Sequence, residues 1–157
     1  MKRKVVINQC YGGFGLSPLA EKMYYKKKNP GKTIYFYKKS FEDDYTTTIY
    51  TRLDVENPGN DIDVCTLCED LGPEFKITKE DRDNDTEFYK KFSDAFVWND
   101  EYTRHDPDLI EIVETLGPDA DGKCADLKVI DIGEKLYRIE EYDGYESLIT
   151  PGDDVWL

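Results

Sequence analysis

The sequence predicts an α+β protein, a single domain over residues 1–157 with a mixed or antiparallel β-sheet packed against two or three helices. Three observations carry that expectation. Apolar, β-prone runs stand near both ends of the chain, at 2–9 and 127–132. Between them lie segments of helical periodicity that bring their own start and stop residues. No internal repeat or linker interrupts the 157 residues, a length that can bury a sizeable core.

In order, residues 2–9, with Val5-Val6-Ile7 at their centre, read as a buried strand. Residues 17–28 read as a helix: Ser17 caps it, Pro18 opens it, Lys26, Lys27 and Lys28 suit its C-terminal dipole, and Asn29-Pro30-Gly31 stops it. Residues 33–39, rich in Tyr and Ile, read as a second strand, which makes a β-α-β opening. From 41 to 85 the pattern weakens to one strand at 46–53 and then turn-rich sequence, so 54–85 reads as an insert-like loop without a core of its own. Residues 88–96 recur at helical spacing, their aromatics suiting a core better than a base-stacking platform. The clearest element is 106–117, with Asp106 as cap, Pro107 first, a stripe of Leu109, Ile112, Val113 and Leu116, and Gly117-Pro118 at the end. Residues 127–132 and 137–142 read as strands joined through Gly133-Glu134-Lys135 as an antiparallel hairpin, and 146–149 as a last short strand.

Four cysteines supply the most pointed chemical signal. Cys65-Thr66-Leu67-Cys68 has the spacing of a turn that aims two sulfurs at one point, and Cys10 and Cys124, each beside an apolar run, can complete a tetrahedral structural zinc site. His105 is a reserve ligand or a solvated surface histidine. Buried or free thiols remain a second reading, and disulfide or redox chemistry a third. Against the third, no apolar signal-peptide stretch opens the chain, which predicts a reducing cytosol. Asn57-Pro58-Gly59-Asn60 before the pair and Gly72-Pro73 after it also suit a loop rather than a thioredoxin-like strand-to-helix turn.

Charge narrows the partners. Residues 1–40 hold ten Lys or Arg against Glu21 alone, while 41–157 hold eleven basic and 33 acidic side chains, giving −13 overall. That balance works against phosphate-dependent binding of nucleic acid or anionic membrane. It favours a basic partner, such as a positively charged nucleic-acid channel for which carboxylates compete. The lysines of the first third are explained by the C-terminal end of the 17–28 helix. No apolar run is long enough to cross a membrane.

Gly12-Gly13-Phe14-Gly15 lies where phosphate-binding loops occur, between a strand and a helix, but lacks the Gly-Lys-Ser/Thr of a P-loop and has Pro18 where a dinucleotide loop ends in glycine. It reads as a tight structural turn, with a small-anion or nucleotide cradle as the alternative. There is no Gly-x-Ser-x-Gly elbow, no His-Glu-x-x-His and no deaminase signature, and His105 is the only partner for a cysteine nucleophile, so the chain reads as a non-enzyme.

Residues 5–17, from Val5-Val6-Ile7-Asn8-Gln9-Cys10 to Ser17, the stretch Arg104-His105-Asp106-Pro107 to Gly117, Leu127–Ile132 and Ile139–Gly144 together resemble a family of small proteins common in phage and prophage genomes. Within it, an acidic, cysteine-bearing chain of this length resembles streptococcal-phage anti-CRISPR proteins directed at type II effectors. The resemblance implies a zinc-stabilised inhibitor that binds Cas9 of a type II-A system in the cytoplasm of the infected bacterium. It implies no direct binding of nucleic acid: carboxylates would occupy the basic channel and prevent DNA loading. Candidate contacts are Glu42, Asp43 and Asp44; Asp81, Asp83 and Asp85; Asp119 and Asp121; and Glu140 and Glu141. The alternative is a phage counter-defence protein that takes a nucleotide signal or small anion at Gly12–Gly15.

Overall fold

The computed structural model describes residues 3–43, 46–97 and 102–151. In chain order the elements are β1 (Arg3–Asn8), α1 (Pro18–Lys28), β2 (Tyr35–Phe41), β3 (Thr48–Leu53), β4 (Val64–Leu67), β5 (Glu74–Ile77), α2 (Lys79–Asn84), α3 (Glu87–Ala95), α4 (Pro107–Leu116), a 3-10 turn (Gly117–Ala120), β6 (Leu127–Gly133), β7 (Arg138–Tyr142) and β8 (Tyr145–Ile149). The protein is α+β, and every ladder is antiparallel. Among the described residues no helix is long and apolar enough to cross a membrane. The chain divides into two compact units, Met1–Tyr24 with Asp100–Leu157, and Tyr25–Asn99.

In the first unit β1 pairs with β6, Val6 opposite Val129 and Asn8 opposite Leu127. Successive side chains of a strand point to opposite faces. Val6 and Leu127 therefore meet Ala20 and Tyr24 of α1 and Leu109, Ile112 and Val113 of α4. Val5, Ile7 and Ile132 meet Ile139 of β7 and Leu148 of β8 on the other side. Burial on both faces is why Val5-Val6-Ile7 is an unbroken apolar run. The α4 cap is as expected: the Asp106 side chain accepts from the Asp108 N–H, and Pro107 sits in the first turn.

The second unit is a four-stranded sheet in the order β4-β2-β3-β5, covered by α3. Its core is aromatic: Tyr50 stacks on Phe75 with ring centroids 4.9 Å apart, and Phe92 lies 4.8 Å from Tyr50. Leu67, Ile77 and Ala95 fill the remainder. Residues 54–85 are thus not a coreless loop; they contribute β4, β5 and α2, and bury Leu67, Phe75 and Ile77.

Two local expectations are corrected. The β-α-β opening does not form one sheet, because β1 pairs with β6 while β2 pairs with β3 and β4. Nor do β6 and β7 form a hairpin. β7 turns instead into β8 through Asp143 and Gly144, whose φ values of 51° and 87° suit the two-residue turn that matches strand twist.

Candidate interaction surface

A buried polar latch organises the loops of the first unit. Asn8 follows the apolar run of β1 into the core, where an unpaired amide would be costly. Its Nδ2 donates to the Cys10 carbonyl at 2.8 Å and the Gly144 carbonyl at 2.9 Å, and its Oδ1 accepts from the Asp126 N–H at 2.8 Å. The Asn8 N–H donates to Glu146 Oε1 at 2.8 Å. Arg104 grips the same buried carboxylate with both terminal nitrogens, Nη2 to Oε2 at 2.8 Å, and lays its guanidinium 3.8 Å from the centre of the Phe14 ring. A bidentate pair of this kind fixes direction as well as charge.

The latch holds the glycine-rich turn against the β7–β8 tip. The Gly12 N–H donates to the Asp143 carbonyl at 3.2 Å, and a Cβ on Gly144 would stand 2.2 Å from the Gly13 nitrogen. On the other side the Gly122 N–H donates to the Gly15 carbonyl at 2.9 Å, and a Cβ on Gly122 would come within 2.8 Å of that backbone. The start of α1 is closed too: the Ser17 N–H bonds the Ala120 carbonyl, while Ser17 Oγ donates to the Asp119 carbonyl and accepts from the Ala20 N–H. Backbone close-packing accounts for these glycines.

The acidic candidates fall into distinct environments. In the second unit Asp81 is spent within the fold, accepting from Thr78 N–H and Oγ1 and from Thr86 Oγ1; the Thr78 N–H first among these holds its carboxyl below the usual range. Glu42 pairs with Lys76 at 2.6 Å, Asp83 with Lys79 at 3.2 Å and Asp85 with Lys90 at 3.8 Å. Asp43 is exposed, and Asp44 lies outside the described residues. In the first unit Asp121 accepts from the Leu127 N–H at 3.0 Å, and burial raises its carboxyl. Asp119, Glu140 and Glu141 are exposed; Glu140 pairs with Arg138 at 3.2 Å, and Glu141 accepts from the Gly144 N–H at 3.2 Å.

The cysteines divide two and two between the units. Gln9 and Asn8 bond to Asp126 where β1 ends beside β6, and Gly12 sits against Cys124, so neighbouring strands do bring the Cys10 and Cys124 segments together. Cys65 is within strand β4, packed on the aromatic core, with its thiol pushed up to about 12 by burial. Cys68 lies just past that strand beside the Tyr25 hydroxyl. Cys65, Thr66 and Leu67 pair with β2, so the first three residues of the Cys-x-x-Cys are strand and not the loop that the spacing suggested. Among the described residues no three Cys, His, Asp or Glu side chains are grouped to hold a metal. His105 places Nδ1 2.6 Å from the Tyr137 hydroxyl and lines a cleft of about 720 Å³ with Arg3, Lys4, Ile110, Glu114 and Asp131, in which Lys4 pairs with Glu114 at 2.8 Å.

No family model, curated protein or solved structure matches the chain. Sequence reasoning missed Asn8, Arg104 and Glu146 because a buried polar latch has no periodicity. Asp143-Gly144 between two β-prone runs was the signal for the hairpin tip. Missed also were Tyr11, Tyr142 and Tyr145, which surround that tip; Tyr142 and Tyr145 are opposed across the hairpin, and the Tyr11 ring lies 5.2 Å from Tyr145.

Proposed function

We propose that the protein acts by binding and not by catalysis, as an acidic chain that occupies the basic nucleic-acid channel of a partner protein. The observation that supports this reading is charge: a net −13, of which the first unit holds nine basic and eighteen acidic side chains, with Asp119, Glu140, Glu141 and Asp143 exposed on it. Carboxylates on a fixed backbone steer a basic partner and exclude nucleic acid of the same sign. The phage resemblance makes Cas9 of a type II-A system the first partner to test, and prevention of target DNA loading the first effect.

The test is binding of the purified chain to guide-loaded Cas9 by biolayer interferometry, together with DNA loading by gel shift. Binding that blocks loading at about 0.1 M salt and weakens towards 1 M, as the screening length shrinks from about 10 to 3 Å, is the expected result. A chain that leaves loading unchanged at about 0.1 M ends the Cas9 reading. Structural zinc on Cys10, Cys65, Cys68 and Cys124 is decided separately by metal content: one zinc per chain, lost in Cys65→Ser/Cys68→Ser, would carry it. The binding reading does not need the metal. The nucleotide or small-anion alternative draws no support from a turn whose Gly12 N–H is already spent on Asp143.

A further inference from the structure

The β7–β8 hairpin has one face in the core and one in water. Ile139 and Leu148 point inward, and the alternation of the strands places Glu140 and Tyr142, with their partners Ser147 and Tyr145, on the outward side. There Tyr142 is 78% exposed, and Tyr11, against Tyr145, is 61% exposed. Rings of this size normally bury much of their area, so two left in water beside a third form an unpartnered aromatic face. Exposed Glu140, on the same outward side, and exposed Asp143 at the turn rim it.

We propose that this face binds an arginine-rich segment of the partner protein, an inference that rests on the acidic-binding reading above. Charge complementarity decides the occupant. The rim selects a cation, and the rings select among cations: a guanidinium is planar, stacks on an aromatic face and forks onto a carboxylate, whereas an ammonium acts as a hydrated point charge. The molecule already shows both modes in Arg104, which lies over Phe14 and forks onto Glu146. The face is also held before any partner arrives. Gly144 is fixed by its carbonyl to Asn8 Nδ2 and by its N–H to Glu141, while the Asp143 carbonyl is held by the Gly12 N–H. Little ordering cost is left for association.

The test compares fluorescein-labelled peptides of nine arginines and of nine lysines, titrated by fluorescence anisotropy in about 0.1 M salt. The variant is Tyr11→Ser/Tyr142→Ser, whose exposed side chains leave the core intact; circular dichroism checks this. The wild type is expected to prefer the arginine peptide. The variant loses roughly two- to fivefold in affinity per ring for arginine and changes little for lysine. Asp83→Asn/Asp85→Asn in the second unit leaves that preference in place. Equal binding of both peptides, unchanged in the tyrosine variant, overturns the hairpin face while the acidic reading stands. Failure of both peptides to bind overturns the acidic reading with it. Self-association in sedimentation velocity that the tyrosine variant abolishes assigns the face to a second copy of the chain, and also overturns the proposal.

Discussion

The unit made of Met1–Tyr24 and Asp100–Leu157 surrounds a two-stranded sheet with aliphatic side chains and threads a buried Asn8–Glu146–Arg104 latch through it. The unit Tyr25–Asn99 fills a four-stranded sheet with Tyr37, Tyr50, Phe75 and Phe92. Apolar contact is non-directional and leaves loop positions loosely specified, whereas a hydrogen-bonded charge pair fixes them. Many acids of the second unit are consumed locally: Asp81 in a cap, Asp70 on Arg52, Asp83 on Lys79 and Glu42 on Lys76. In the first unit the latch holds a tip where Tyr142, Glu141 and Asp143 face water. Precision has been placed where the binding surface is expected, and bulk where only support is needed.

The two kinds of core should break differently. Phe92→Ala removes the ring that touches Tyr50, Phe75 and Phe96, at a cost of about 3–5 kcal/mol. Arg104→Ala, which strands the buried Glu146 carboxylate, costs about as much, 3–5 kcal/mol. The distinction lies in rescue. Arg104→Met with Glu146→Leu should recover much of the loss, because it removes both buried charges together. Urea unfolding with hydrogen exchange, followed separately in each unit, checks this; a double variant as weak as Arg104→Ala would show that the hydrogen bonds of Glu146, including the one from the buried Asn8 N–H, outweigh the relief of two buried charges. Next in size is Gly144→Ala. Its Cβ meets the Gly13 nitrogen at 2.2 Å on a backbone of φ 87°, so a loss of about 2–3 kcal/mol is expected in thermal melts.

Acid separates the units by sign. Burial pushes the Glu21 carboxyl up to about 7, so the folded first unit keeps a proton that the unfolded chain releases near 4.5. Its stability is therefore greatest below that range and falls as pH rises through about 7, by an order of 1–2 kcal/mol after allowing for partial exposure. Asp70 in the second unit runs the other way. The Gly72 N–H, then Arg52, holds its carboxyl below the usual range. That contribution is complete above the ordinary carboxylate range and is lost as pH falls through the lowered value. Lowering pH from about 8 to 5 should raise the protection of the first unit relative to the unfolded chain at the same pH, and further acidification should lower that of the second. Glu21→Gln should flatten the first response and leave the second; an unchanged slope in that variant would remove Glu21 as its cause.

The difference between the units also governs what the sequence disclosed. β1, α1, α4 and β6 were legible within one or two residues because their apolar spacing is regular and Ser17, Pro18, Asp106 and Pro107 mark the helix starts. In the second unit, strands of four residues such as Val64–Leu67 and Glu74–Ile77 are too short for periodicity to stand out. The spacing of Cys65 and Cys68 drew a turn where Cys65, Thr66 and Leu67 pair with β2. Of the surface, the acidic excess was visible, but not which acids are spent. Asp81 and Asp121 resemble Asp119 and Glu141 in type, and only tertiary partners separate them. The tyrosine face is invisible for the same reason: Tyr11 and Tyr145 are 134 positions apart.

The smallest expected effect tests whether a sequence-readable device can hold an element that burial does not. Thr78-Lys79-Glu80-Asp81 forms a reciprocal cap: Thr78 Oγ1 accepts from the Asp81 N–H at 3.0 Å, and Asp81 Oδ2 accepts from the Thr78 N–H at 2.9 Å. The six-residue α2 buries none of its side chains, so it is held by polar contacts: this cap, the Thr86 hydroxyl on Asp81, the Lys79–Asp83 pair and the Arg82 bond to the Thr46 carbonyl. Helix α3 also has a threonine cap, Thr86 on the Tyr89 N–H, but is anchored by buried Phe92 and Ala95. Thr78→Ala should therefore cost about 1 kcal/mol and speed hydrogen exchange across α2. Thr86→Ala should cost less and leave α3 protected; equal exchange in the two helices would mean that burial and capping are not separable here.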